Sequence, residues 1–301
     1  MSNKEISVIV PIYNDAKRLK LLLEALDHQT LDKSRWEAVI VDNNSIDSPE
    51  TVVTSYPFAQ CVKESKTGSS AARNTGIRES SAPLLAFTDS DCIPTPNWLE
   101  TALKLLEDNK AISAIGGAII VFLETPNKPS LTELFEVACA FPQQEFVEKL
   151  NYGATANMIT RRSCFDLIGG FDENLQSSED ENWGQRLVAA GGTIVYSSEV
   201  AVNHPARNWE ALKRKIRRVA KGKAMRLLRK DYGELHILAK ILWLVFWPER
   251  IATVLARVRL NNFKQCVELA AFVYYRNCFE AFQYPKYLVF KPKDEIRESR
   301  R

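Results

Sequence analysis

Between Ile6 and Thr88 short runs of β-branched residues alternate with stretches of helical spacing, and this alternation limits the fold more than any other feature. Ile6–Tyr13 (ISVIVPIY) and Trp36–Asp42 (WEAVIVD) are bounded by polar residues and read as buried strands. Gln60–Glu64 reads as a third strand and the apolar run from Leu84 as a fourth. Leu19, Leu22, Leu23 and Leu26 mark Ala16–His28 as a helix, Asp47 or Ser48 could cap a short one at Pro49, and Ser69–Ser80 reads as another. A β-α-β-α-β-α-β order predicts a parallel sheet covered by helices and joined by right-handed crossovers. Polar residues gather just past the strand ends: Tyr13 and Asn14, then Asp42, Asn44 and Ser45, then Asp89 and Asp91. Ligands of open α/β sheets sit at that carboxyl edge, so the outline is that of a nucleotide site. Neither a G-x-G-x-x-G nor a P-loop is present, which removes support for a dinucleotide or kinase-like site.

Asp89 and Asp91 follow Leu84–Thr88 and precede Pro94 and Pro96, with Asn97, Trp98 and Leu99 opening a helix. Two ionised carboxylates at the end of a buried strand require solvent or a cation. A pair of hard oxygen ligands suits Mg²⁺ or Mn²⁺. Alone the pair means little, because about one Asp-x-Asp arises by chance in a chain of this size. Its bland alternative is a solvated Asx-type turn.

Composition narrows the class without naming it. The 301 residues suffice for one large domain or two smaller ones, and a net charge of +3 argues for no particular partner. The six cysteines are scattered without a C-x-x-C pair, which argues against a zinc site and a disulfide framework and for reduced thiols in a cytoplasm. No secretory leader stands at the start, and no run of apolar residues is long enough to predict a spanning helix.

The stretches VIVPIYN, VIVDNNSID, TGSSAARNTGI and FTDSD resemble the nucleotide-sugar half of inverting family 2 glycosyltransferases with the GT-A fold. The likeness continues as GGFDENLQSSEDENWGQRLVAAGG and VNHPARNW, so that it covers residues 5–225. The resemblance implies a GT-A type α/β fold, a mostly parallel sheet sandwiched by helices. It implies that Pro11, Tyr13 and Asn14 line the base and ribose pocket, with Tyr13 against the base. Asp42 would accept a hydrogen bond from the pyrimidine edge, Arg73 would reach the nucleotide, and Asn44 and Ser90 would complete the nucleotide-binding set. Asp89 with Asp91 would hold Mn²⁺ or Mg²⁺, with His204 completing the metal shell or touching the diphosphate. Many relatives carry two aspartates after the second strand, whereas here Asn43 follows Asp42, and this weakens any ribose contact on that loop. The residues themselves leave alternatives open. Tyr13 could pack on the first helix, Arg73 could be a surface cation paired with Glu79, and His204 could be a loop histidine held by backbone. Lys66 and Gly68 lie on a loop that could meet phosphate, with solvation the stronger role for Lys66.

Further along, Ala111–Leu123 reads as one strand or two broken at Gly116-Gly117, and Leu131–Phe141 as a helix. Pro126–Leu150 falls where acceptor-side variation is expected. Tyr152–Ile159 is strand-like, Arg161–Ile168 is a short helix closed by Gly169-Gly170, and Thr193–Val202 is a strand leading to His204. Ser178 followed by Glu181 forms a capping-box pattern, so a helix should begin at Glu179 with Asp180 in its first turn. Two carboxylates there could merely favour the helix dipole. The resemblance instead makes Asp180 the catalytic base and lets Glu179 seat the acceptor, with Asp172 as the runner-up base. A single displacement needs one carboxylate to take the acceptor proton and no carboxylate nucleophile.

Leu212–Lys230 (LKRKIRRVAKGKAMRLLRK) holds ten cations and no acid, with a narrow stripe of Ile216, Val219, Leu227 and Leu228 and a candidate break at Gly222. Ile237–Trp247 and Tyr274–Phe290 are apolar and aromatic but short, and the tail Lys291–Arg301 is polar and expected to be disordered. These segments read as an interfacial region drawn to anionic lipid, or equally as a solvated face and buried helices packed on the catalytic domain. The expected organisation is a catalytic domain over 1–207, its nucleotide-sugar half over 1–95 and its acceptor half over 96–207, followed by a helical extension over 208–301. The expected activity is metal-dependent inverting transfer of a sugar from a nucleotide-diphosphate donor, a UDP-sugar first, to a hydroxyl of a glycan or lipid-linked acceptor. No Q-x-x-R-W signature of processive synthases is present, so single additions are expected. The enzyme is expected in the cytoplasm, peripheral on the inner face of the membrane. Rival expectations are a nucleotidyltransferase, or a non-catalytic adaptor for membrane or nucleic acid. Intact Asp42, Asp89, Asp91 and Asp180 speak against decay, and nucleic acid is the weaker partner.

Overall fold

The computed structural model describes residues 4–175, 177–229, 249–258, 260 and 262–289. The expectations for Ile237–Trp247, for the end of Tyr274–Phe290 and for the Lys291–Arg301 tail lie outside them, as do the side chains of Leu227 and Leu228. Two compact units form, Met1–Phe122 with Phe141–Pro205, and Leu123–Ala140 with Ala206–Arg301.

In the first unit, β1 (Ile6–Ile12), α1 (Ala16–Asp27), β2 (Trp36–Asp42), α2 (Glu50–Val53), β3 (Ala59–Lys63), α3 (Ser69–Arg78) and β4 (Leu84–Thr88) alternate as the sequence pattern predicts. A two-residue strand, β5 (Ile93–Pro94), leads to α4 (Trp98–Asp108) and β6 (Ala114–Phe122). Leu123–Ala140 carries α5 (Leu131–Cys139), which belongs to the second unit. The first unit resumes with α6 (Gln143–Leu150), β7 (Asn157–Arg161), α7 (Arg162–Ile168), α8 (Glu179–Ala189) and β8 (Ile194–Pro205). The strands build one eight-stranded sheet in the order β3-β2-β1-β4-β7-β6-β8-β5. β3, β2, β1 and β4 run parallel. The parallel arrangement stops there: β7 is antiparallel to β4 and to β6, whereas β8 is parallel to β6. β4 and β7 are distant in sequence, so no single crossover helix between them dictates their direction.

Both faces of the sheet are covered. Leu19, Leu22, Leu23 and Leu26 of α1 bury beside Trp36, Trp98 and alternate residues of β1 and β2. The other face carries Ile9, Phe87, Phe165, Phe171 and Trp183. Phe165 stacks on Trp183 at 4.5 Å and Phe87 meets Phe171 edge-on at 5.4 Å, so α8 is anchored against β4 by aromatic packing.

β6 is continuous rather than broken at its glycine pair, and its pairing with β8 shifts register between Gly117 and Ala118. A Cβ on Gly117 would stand 2.2 Å from the Val200 carbonyl and 2.4 Å from Asn157 Nδ2, so only glycine fits. Asn157 closes the irregularity by donating through Nδ2 to the carbonyls of Ala118 (2.8 Å) and Val200 (2.9 Å). Its Oδ1 accepts from Trp98 Nε1 at 2.9 Å. Because Asn157 also pairs with Thr88, this buried amide fixes the end of β4 just before Asp89.

The second unit adds α9 (Trp209–Arg229), α10 (Glu249–Arg257), α11 (Phe263–Ala281) and α12 (Gln283–Val289) to α5. Gly222 does not interrupt α9. Its buried side is Leu212, Ile216, Ala220 and Ala224, of which Leu212 and Ile216 pack with Leu134 and Phe135 of α5, Val254 of α10, and Leu269 and Val273 of α11. The expected stripe is therefore displaced: Ile216 belongs to it, but Val219 is only half-buried, because alanines one turn apart let the helices approach.

Replacing Asn157 by leucine leaves Trp98 Nε1 and two strand carbonyls without their partner in the core. The expected cost is about 2–4 kcal/mol in urea unfolding. A variant with the wild-type midpoint would show that the amide is dispensable.

Candidate active site

The loops after β1 and β2 are built on left-handed asparagines, Asn14 at φ 52 and Asn44 at φ 70, a conformation asparagine tolerates better than most residues. Asn14 donates its N–H to Ser45 Oγ (3.0 Å) and accepts from the Ile46 N–H through Oδ1 (2.8 Å), so the two loops are tied together. Asp42 is buried and accepts from the Ser45 N–H at 2.8 Å. Asn44 donates to the Ser65 carbonyl at 3.0 Å. Pro11 is half-buried within β1, while Tyr13 just past the strand is 64% exposed, which leaves its ring open to a ligand rather than packed on α1.

Asn43, which departs from the double-aspartate pattern, has a structural reason. Its Nδ2 donates to the carbonyls of Glu64 (2.9 Å) and Lys66 (2.8 Å), and its Oδ1 accepts from the Gly68 N–H at 2.7 Å. An ionised aspartate has no donor for those carbonyls, so the neutral amide shapes the loop into α3. Lys66 does not simply face solvent: its ammonium lies 2.7 Å from Glu173.

Arg73 reaches inward from α3 rather than outward to Glu79. Its side chain is buried, with Nη2 2.8 Å from Asp89 Oδ1 and Nη1 3.2 Å from Glu179 Oε1. Ser69 Oγ donates to the same Glu179 oxygen at 3.1 Å. One guanidinium therefore bridges the end of β4 and the first residue of α8.

α8 begins at Glu179 as predicted, but the capping box does not form. Ser178 holds φ 65, and its side chain makes no capping hydrogen bond, because an N-cap acts from extended backbone and not from the left-handed region. Asp180 instead accepts from the neighbouring Glu181 N–H through Oδ1 at 2.8 Å. Asp180 is half-buried, and burial, followed by the charge of Glu179, pushes its carboxyl up to about 6. Asp172 is used in a turn, accepting from the Asn174 N–H at 2.9 Å.

His204 at the end of β8 is buried, and its Nδ1 lies 2.7 Å from the Pro205 carbonyl. A carbonyl only accepts, so Nδ1 carries the hydrogen, and in the neutral ring Nε2 offers its lone pair. That nitrogen faces Asp91 Oδ1 at 3.5 Å. Asp91, Cys92 and His204 bring one donor atom each within 4.8 Å of one another. Burial pushes the Cys92 thiol well above its usual range, so it stays protonated and is a poor ligand. What remains, a carboxylate oxygen and an imidazole nitrogen, could hold a divalent cation with further oxygens from a substrate. Asp15, which sequence reasoning passed over, stands near Asp91 and Asp47, and burial with those charges pushes it up to about 6. Ser90 is half-buried between the two aspartates.

The model of the glycosyl transferase family 2 domain matches residues 7–169. The chain is 31% identical over 245 residues to the glycosyltransferase AglE of Haloferax volcanii, covering 80% of each protein. The chain belongs to glycosyltransferase family 2. This glycosyltransferase is also 27% identical over 223 residues to the pre-mycofactocin glycosyltransferase of Mycobacterium tuberculosis, covering 70% of this chain and 46% of that protein. Among solved structures it resembles a Pyrobaculum calidifontis mannosyltransferase in complex with GDP-Man and Mn²⁺, with a TM-score of 0.64 at 16% identity over 96% of this chain and 88% of that one. It also resembles TarS of S. aureus in complex with UDP-GlcNAc, with a TM-score of 0.57 at 19% identity over 98% of this chain and 92% of that one. The fold is GT-A, and the enzyme is a glycosyltransferase of the nucleotide-sugar type. Membership in the family displaces the nucleotidyltransferase and adaptor alternatives.

The raised carboxyl of Asp180 sets a stability linkage. A folded-state value of about 6 against an ordinary 3.8 means that the fold favours the protonated form. That contribution is complete below the ordinary value and is lost as pH rises through the folded one. Asp180→Asn, which mimics the protonated group, is therefore expected to be more stable than wild type by about 1–2 kcal/mol at neutral pH and equal to it near pH 4. Thermal unfolding at the two pH values checks this, and a variant less stable at neutral pH would contradict it.

Proposed function

We propose that this glycosyltransferase transfers a sugar from a nucleotide-diphosphate donor, a UDP-sugar in the first instance, to a hydroxyl of a glycan or lipid-linked acceptor. Transfer is a single displacement with inversion and adds one sugar at a time. The observation that carries this reading is the Arg73 bridge, which joins Asp89 at the strand end to Glu179 beside Asp180. Donor-side carboxylates and a candidate base thereby share one edge of the sheet.

Tyr13 would present its exposed ring to the base, and Asp42 would accept from the pyrimidine edge. Pro11, Asn14, Asn44 and Ser90 would shape the walls of that pocket. Asp89, Asp91 and His204 would hold Mn²⁺ or Mg²⁺, which when bound neutralises charge on the departing diphosphate. The complexes of structural neighbours with GDP-Man and Mn²⁺ and with UDP-GlcNAc support this chemistry. Glu179 already accepts from Arg73 and Ser69 through Oε1, so Asp180 is the better placed of the two to take the acceptor proton. A carboxyl value near 6 makes it a stronger base than an ordinary aspartate while leaving it ionised at neutral pH. The catalytic work is carried by the first region of the chain, and the cation-rich second region would hold the enzyme at the inner, cytoplasmic face of an anionic membrane.

Two variants separate chemistry from binding. Asp180→Asn should cut turnover by roughly 10²–10⁴ with little change in donor affinity. Asp91→Asn should instead lose the Mn²⁺-dependent part of UDP binding in calorimetry. NMR of the wild-type product should show a β-linkage from an α-linked donor. Retention at the anomeric carbon, or normal turnover by Asp180→Asn, would overturn the assignment.

A further inference from the structure

Helix α11 buries polar groups on its inward side along with apolar ones and exposes aromatic side chains on its outward side. Its inward side carries Leu269 and Val273, and also Arg276, Asn277 and Glu280, all buried. Its outward side carries Phe263, Val267, Ala271, Tyr274 and Tyr275, and Phe282 continues the row just past the helix end. Positions spaced by four, four, three and one residues lie along one face of a helix. Phe263 is 83% exposed, Phe282 71%, Tyr275 56% and Val267 51%, so among the described residues nothing covers the stripe. The row spans roughly 28 Å at 1.5 Å per residue with Lys264 and Glu268 exposed beside it, and exposed aromatic side chains aligned in this way mark a candidate interaction surface.

The chemistry beside the stripe points to its partner. Trp209 of α9 lies 5.6 Å from Tyr275, and Lys213 Nζ stands 5.6 Å from the Trp209 ring. One turn on, the Arg217 guanidinium lies 5.4 Å from the ring of Phe279. Arg214, Arg217 and Arg218 are exposed on α9. The acids on these faces, Glu210 and Glu268, lie 2.6 Å from Lys213 and 3.9 Å from Lys264, so the edge stays cationic. Tyrosine and phenylalanine in a row, flanked by cations whose charged ends lie over neighbouring aromatic rings, match a boundary between hydrocarbon and anionic headgroups. No helix among the described residues is long and apolar enough to cross a membrane, so such a face would lie in the interface plane.

We infer that the outward stripe of α11, and not the apolar side of the basic helix α9, is the face that inserts into an anionic lipid surface. The apolar side of α9 is spent in the core through Leu212, Ile216, Ala220 and Ala224, so α9 contributes charge alone. This rests on the membrane association proposed above and names the face that makes it.

Flotation of the full chain with phosphatidylcholine vesicles, and with vesicles that also contain phosphatidylglycerol, tests the assignment. Wild type should float with the anionic vesicles and not with the neutral ones. Phe263→Ser with Phe282→Ser should lower the bound fraction roughly tenfold or more, and Val267→Ser with Tyr274→Ser provides an independent pair. Circular dichroism and UDP affinity should match wild type, because all these side chains face outward. Arg214→Gln with Arg217→Gln should weaken binding in low salt and change little in high salt. Wild type that floats with neither vesicle overturns the membrane association itself. Both stripe variants binding as wild type overturns only the choice of face. A dimer in sedimentation velocity that Phe263→Ser with Phe282→Ser dissolves would give the stripe to a second copy and overturn the lipid assignment.

Discussion

A buried guanidinium holds the candidate active site together. Arg73 lies between Asp89 and Glu179, with only a few per cent of its side chain exposed. A cation in that position is tolerable only while carboxylates face it, and removing either one leaves charge uncompensated in the interior. The pairing therefore constrains two distant pieces of chain at once. It draws the end of β4 toward α3 and the start of α8 toward the same point. The aromatic packing of Phe87, Phe165, Phe171 and Trp183 supplies the apolar counterpart that seats α8 on the sheet. Asp180 inherits its environment from this arrangement: Glu179 is fixed by Arg73, and its charge then raises the carboxyl beside it.

Much of this was legible in the chain, because the first four strands are runs of β-branched residues whose polar neighbours fall at one edge. β2 coincides with its predicted span, and β1, β3 and β4 differ by a residue or so at their ends. The direction of β7 was not legible, since its neighbour β4 is far away in sequence and no crossover links them. The Arg73 bridge was not legible either, because Glu179 is 106 residues distant and no local pattern announces the pair. The capping box at Ser178 failed for a related reason. The side-chain types were right, but the loop before α8 imposes a left-handed φ that the motif cannot use. Asn43 looked like a weakened ligand, and its donors show instead why an amide is needed to hold the loop into α3.

The helical unit shows the limit of periodicity. Tyr274–Phe290 reads as apolar, yet which side of α11 turns inward depends on its neighbours. Arg276, Asn277 and Glu280 ended up buried beside Leu269 and Val273, with Arg276 and Glu280 2.6 Å apart, while Tyr274 and Tyr275 stayed exposed and Phe272 and Phe279 packed on the inner cluster.

We propose that Asp180 is the base and that its strength is set by burial and by the charge of Glu179. The pH dependence of turnover in Glu179→Gln tests this most directly. In wild type the rate should fall as pH drops below about 6, where Asp180 takes up its proton. With glutamine at 179 the neighbouring charge is gone, ionisation is easier, and the acid limb should move to lower pH. A limb that stays in place, or moves upward, would contradict the assignment of Asp180 as the titrating base.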